Sequence, residues 1–180
     1  MINYQKRNQA TPHIVLFFTY GISLKKWEET GLLYREIKFY QEMVSRYGIS
    51  ITFLTYGDKR DKEIGEIIGN INIIPVYEFL YKPKNKIIRF FQTLIVPIYF
   101  KNQLKQSDIY KTNQLWGSWV AVFSKILFKK PLIVRCGWEK YFYKLQGHDH
   151  TNKYITWLVS KFSYGNADQI VLASPSIAKF

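Results

Sequence analysis

Asn113 and Gln114 are adjacent side-chain amides that follow a short strand-like run, Asp108-Ile-Tyr-Lys-Thr112, and stand just ahead of Gly117. An amide donates and accepts hydrogen bonds at once, so such a pair past a strand end suits a hydroxyl-rich ligand. Trp116 and Trp119 would add aromatic faces for a sugar to stack on. The competing reading makes Asn113 a helix cap and both tryptophans core. A second polar loop, Tyr20-Gly-Ile-Ser-Leu-Lys25, is placed like a phosphate-binding turn. Gly21 allows close backbone approach, while Ser23, Lys25 and the amides opening the next helix could hold an anion. The loop lacks the closely spaced glycines of a dinucleotide fingerprint and the Gly-Lys-Ser/Thr of a P-loop, so a glycine needed only for the turn competes with the binding reading. Arg135 ends an apolar run and is followed by Cys136-Gly137. A charge there is seldom buried alone, and it is expected to face either the ligand crevice or a carboxylate such as Glu139.

Other chemistries are thinly represented. His148 and His150 flank Asp149, but no third ligand stands at a recognisable spacing, and no metal site is expected. The single cysteine, Cys136, precludes an intramolecular disulfide framework and has no evident histidine partner. There is no Ser-His-Asp order and no nucleophile elbow, so no catalytic residue can be named. No cofactor is expected either.

The elements that must position these residues alternate in type. Apolar, strand-like runs cover 14–19, 49–56, 71–77, 108–112, 131–135 and 168–173, with Pro75 favouring a sheet edge or a strand end. Helical spacing covers 24–47, with Leu33, Ile37, Tyr40, Val44 and Tyr47 on one face and Gly48 as a left-handed cap. Further helices are expected over 61–69, 87–104, 117–128 and 151–164. Strands separated by helices predict an α/β fold with a Rossmann-like, doubly wound parallel sheet in one domain, its ligands at the carboxyl ends of the strands.

With 47% hydrophobic and 18% aromatic residues the chain has ample core, and disorder is excluded. The net charge of +13 is unevenly placed. Between Glu78 and Glu139 the only acid is Asp108, against eleven bases, which calls for an anionic partner unless the bases are merely a solvated face. The apolar run Ile87–Phe100 is interrupted by Arg89, Gln92 and Pro97 and is well short of the ~20 residues that span a bilayer. It suits the headgroup boundary, with Lys82, Lys84, Lys86, Arg89, Lys101 and Lys105 facing an anionic membrane surface. The polar N-terminus is no signal peptide, so the expected location is the cytoplasm, or the inner face of the membrane. Ser174-Pro-Ser-Ile-Ala-Lys-Phe180 reads as the opening of a helix that breaks off, and the chain is accordingly expected to be the front part of a larger protein.

Taken in order, the apolar first strand, Gly21-Ile-Ser-Leu-Lys-Lys-Trp-Glu-Glu-Thr-Gly-Leu-Leu-Tyr-Arg-Glu36, Thr55-Tyr-Gly-Asp58, Asp108 to Ser118, Lys130 to Trp138 and Ala167 to Ser174 resemble the N-terminal domain of a bacterial GT-B glycosyltransferase of the retaining, family-4-like group. The resemblance covers nearly the whole chain and implies a Rossmann-like domain that binds the acceptor, a saccharide or lipid-linked saccharide. A second, donor-binding domain that holds the nucleotide sugar and usually carries paired glutamates is absent from this sequence. Gly21, Ser23 and Lys25 would then lie at the interdomain cleft, and Asn113, Gln114, Arg135 and Gly137 on the acceptor side. Where a histidine-glycine pair is frequent in the group, Arg135-Cys136-Gly137 stands instead. The alternative class is a basic binding module for anionic lipid or nucleic acid. Nucleic acid is disfavoured because most aromatics fall at core-like spacing rather than between exposed bases. A nucleotide-dependent oxidoreductase fails for want of a fingerprint.

Overall fold

Val15, Leu16 and Phe17 are all buried, and their side chains alternate between the two faces of a strand that is covered on both sides. That strand, β1 (His13–Phe17), is central in a six-stranded, all-parallel sheet, seen in a computed structural model that describes residues 11–137 and 153–173. The other strands are β2 (Ser50–Thr55), β3 (Asn72–Pro75), β4 (Ile109–Thr112), β5 (Leu132–Cys136) and β6 (Gln169–Leu172), in the spatial order β3-β2-β1-β4-β5-β6. Helices α1 (Leu24–Glu29), α2 (Leu33–Tyr47), α3 (Lys59–Ile68), α4 (Val76–Phe79), α5 (Lys86–Gln92), α6 (Val96–Tyr99), α7 (Lys101–Lys105), α8 (Ser118–Phe128) and α9 (Lys153–Asn166) connect them. The fold is α/β and doubly wound. Strand order runs outward in opposite directions from β1 and β4, which makes the gap between their carboxyl ends the switch-point crevice.

Each face has its own core. Leu16, Phe18 and Phe53 pack with Trp27, Ile37 and Tyr40 of α1 and α2, and Ile64 of α3. On the opposite face Val15, Phe17, Tyr110 and Val134 pack with Val96, Phe100, Leu104 and Trp119. Gly65 draws α3 down onto β3, because a Cβ there would collide with Ile73. Pro75 ends the edge strand β3, and Gly48 caps α2 in the left-handed region, both as expected.

Two helices expected as single rods are divided. The 24–47 helix breaks at Thr30 and Gly31, where Gly31 takes φ +70° and the Thr30 hydroxyl donates to the Lys26 and Trp27 carbonyls. Leu33, Ile37 and Tyr40 do form the buried face of α2, but Tyr47 at its end is exposed. The 87–104 helix becomes α5, α6 and α7. Pro97 has no N–H to continue the ladder, and the amides of Thr93, Leu94, Ile95 and Val96 bond carbonyls three residues back. Ser174–Phe180 lie outside the described residues.

Candidate functional site

The loop after β1 has already spent the donors that made it resemble an anion site. The Leu24 and Lys25 amides donate to the Asp61 carboxylate at 2.9 and 3.0 Å, and the Lys26 amide donates to Ser23 Oγ at 3.0 Å. Asp61 is fully buried and also accepts from Thr55 Oγ1 at 2.6 Å. It reaches α1 because Gly57 has no side chain; a Cβ there would overlap the Asp61 carboxyl group. The expectation that free amides beside Gly21 hold an anion is therefore corrected, since this chain supplies its own carboxylate. Gly21, Ser23 and the exposed Lys25 still come together. With Lys26, Asp58, Tyr77 and Lys82 they line a polar cavity of about 280 Å³.

The loop after β4 is arranged differently. Asn113 is anchored by its amide to the Phe17 carbonyl at 2.8 Å, is almost wholly buried, and has no partner for its side-chain Oδ1. It does not cap the following helix; Gly117 does, at φ +101°. A Cβ on Gly117 would run into Tyr20, and the Tyr20 amide donates to the Trp116 carbonyl at 3.0 Å, so the loops after β1 and β4 are bonded to each other. Gln114 Oε1 accepts from the Gly137 amide at 2.8 Å, joining the β4 and β5 loops, and Gly137 leaves the room that the amide group fills. Trp119 is core, donating from its indole N–H to Thr93 Oγ1 at 2.9 Å, with Trp116 set edge-on against it. Trp119 thus follows the packing reading, while Trp116 is only partly buried.

Asn113 and Gln114 open into a second cavity of about 300 Å³ at the switch point, lined also by Thr19, Ile22, Thr30, Arg35 and Glu36. Glu36, in the first turn of α2, lies 3.2 Å from Arg35 and 3.4 Å from Arg135. Arg135 therefore meets a carboxylate, supplied by α2; Glu139 lies outside the described residues. The Arg135 amide is held by Thr112 Oγ1 at 3.0 Å. Beneath this pair Lys111 Nζ donates to Tyr40 Oη at 3.0 Å. Burial lowers the Lys111 ammonium to about 8, and the Arg135 charge pushes it the same way. Burial likewise raises the Tyr40 phenol well above its ordinary value.

Asp61, Glu36, Lys111 and Tyr40 were not singled out from the sequence. Only Lys111 left a signal, as a base within an otherwise apolar strand. Of the bases expected to face a membrane, Lys82, Lys84, Lys86, Lys101 and Lys105 are exposed, whereas Arg89 is half-buried. It bonds the Lys84 carbonyl at 3.4 Å and its charge acts on the Tyr20 and Tyr77 phenols, which burial raises. Among the described residues no helix is long and apolar enough to cross a membrane, and no three of His, Cys, Asp and Glu form a metal-binding group. His148 and His150 lie outside those residues.

No protein-family model matches the sequence, and no curated protein matches it either. The crevice is lined by Asn113 and by the Arg35 and Glu36 ion pair, with Lys111 nearby. That equipment can bind and orient a polar ligand. The His13 to Thr52 contact, at 2.8 Å, sits at the opposite, amino end of the sheet.

Proposed function

We propose that this domain is the acceptor-binding half of a glycosyltransferase that moves a sugar from a nucleotide-sugar donor to a saccharide or lipid-linked saccharide, working at the cytoplasmic face of a membrane. The observation that carries the reading is Asn113. A buried amide oxygen without a donor costs about 1–3 kcal/mol unless something pairs with it, and Asn113 is one of the residues that line the switch-point cavity. A sugar hydroxyl is a matching donor, and Glu36 and Arg35, which line the same cavity, offer an acceptor and a forked donor to further hydroxyls. In this reading the nucleotide-sugar donor is held outside this domain, and the 180-residue chain alone turns over no nucleotide sugar.

Amide chemical shifts of the labelled chain, titrated with a panel of oligosaccharides and lipid-linked saccharide analogues, test this. The expected outcome is saturable shifts at Asn113, Gly137 and Thr19. Turnover of a nucleotide sugar by the purified chain would overturn the division of labour. Shifts confined to the basic face, produced by oligonucleotides and by no saccharide, would favour a nucleic-acid module instead.

A further inference from the structure

Helices α5, α6 and α7 follow one another as a broken rod, with bonds to carbonyls three residues back bridging Thr93 to Val96 between α5 and α6. The inner side of the rod is committed to the core through Val96, Phe100 and Leu104. Its outer side is apolar as well. Ile87, Ile88, Phe91 and Ile98 keep 68%, 58%, 60% and 59% of their surface exposed. Ile87 and Phe91, four positions apart, share one side of α5, and Ile95 and Ile98 add exposed apolar surface just beyond its end; together they make up the apolar stripe. Exposed lysines stand at both ends: Lys82, Lys84 and Lys86 before the stripe, Lys101 and Lys105 after it. No acid occurs between Glu78 and Asp108.

We propose that this face docks on a bilayer of anionic lipid, with the isoleucines and Phe91 in the headgroup boundary and the five lysines on lipid phosphates. Folded proteins rarely leave a contiguous apolar stripe in water, and flanking bases without acids select a negatively charged, apolar-cored partner. A second copy of the chain would bring the same uncompensated positive charge to the contact. Nucleic acid would find aliphatic side chains where it needs flat rings to stack on. The rod is too short to span, so it lies in the interface plane. Arg89 takes no part, being turned inward. The proposal stands on this patch alone and does not depend on the sugar-binding reading.

Co-sedimentation of the full chain with phosphatidylcholine vesicles, with and without phosphatidylglycerol, tests it. Binding is expected to rise with phosphatidylglycerol content and to fall with added salt. Replacing Lys82, Lys84 and Lys86 together by alanine is expected to weaken binding roughly a hundredfold, whereas replacing them by arginine preserves it. Replacing Ile88 and Phe91 by serine keeps every charge and is expected to weaken binding at least about tenfold. All five positions are exposed, so the variants should melt as the parent does, and a variant that melts early is replaced by Ile87→Ser with Ile98→Ser. Equal binding to neutral vesicles, no binding to either, or loss of binding in neither variant set would overturn the proposal. So would a dimer in sedimentation equilibrium that the serine variants dissolve, which would assign the stripe to a second copy.

Discussion

Asp61 and Asn113 are both buried polar residues just past the carboxyl ends of strands, Asp61 in α3 beyond β2 and Asn113 in the turn after β4. Asp61 accepts from two amides and a hydroxyl, while the Asn113 oxygen accepts from nothing among the described residues. The contrast extends around each of them. On the β1 and β2 side the helix start is sealed by Asp61 and Ser23. On the β4 and β5 side a half-buried lysine leans on a phenol and Arg135 meets Glu36 at the long distance of 3.4 Å. Burial and placement beyond a strand's carboxyl end are alike on the two sides; what differs is hydrogen-bonding capacity left over after folding. Leftover capacity, rather than polarity, marks where a ligand has something to gain.

The contrast is broken most directly at Asp61. Asp61→Ala would leave the Leu24 and Lys25 amides and the Thr55 hydroxyl buried without an acceptor, and a loss of about 3–5 kcal/mol is expected in urea unfolding. A loss below about 1 kcal/mol would mean that the sealed side is not sealed by Asp61.

Lys111 gives the next largest effect, through pH. Its folded-state value of about 8 lies below the ordinary 10.5, so between those values the unfolded chain holds a proton that the folded chain has released. Stability should therefore rise with pH over this window, by roughly 2 kcal/mol between pH 8 and 10. Above it the half-buried Tyr77 and the buried Tyr110, raised to about 12, act in the opposite sense as unfolded phenols ionise first. Lys111→Met should flatten the rise. A parent profile that is already flat would show that the ammonium is solvated.

Asn113→Ala removes an unpaired group, so stability should hold or rise by up to about 1–3 kcal/mol, while affinity for a saccharide that shifts the crevice amides should fall about tenfold. The reverse pattern, lost stability with unchanged affinity, would move Asn113 to the structural side of the comparison. The smallest effect concerns Glu36 and Arg135. Both are partly exposed, and a double-mutant cycle with Glu36→Gln and Arg135→Lys should return a coupling below about 1 kcal/mol. A larger value would mean that the pair braces α2 against the sheet and is not free to serve a ligand.

The sheet was legible because its causes are local. A strand covered on both faces must be apolar at consecutive positions, as Val15-Leu-Phe17 and Ile51-Thr-Phe-Leu54 are, and Pro75 and Gly48 end elements by their own backbone chemistry. The division of the 24–47 helix was less legible, since Thr30-Gly31 interrupts the chain without interrupting the apolar period. The site was half legible. Asn113 and Arg135 stand at strand ends and were found by position, but Asp61 reaches α1 across 36 and 37 positions and Lys111 reaches Tyr40 across 71. No local pattern encodes such pairings. The saturation of the first loop could not be foreseen for that reason.

The central place of β1 has a kinetic side. One edge of the strand is completed by β2, but the other waits for β4, as the bond from the His13 amide to Asp108 shows across 95 positions. Chains whose central pairings close such long loops fold slowly, and until β4 is made β1 presents an apolar strand with one open ladder. During that interval another chain's strand competes for the same hydrogen bonds. The yield on refolding is then set by a race between first-order closure and second-order pairing, and protein concentration rather than denaturant decides who wins.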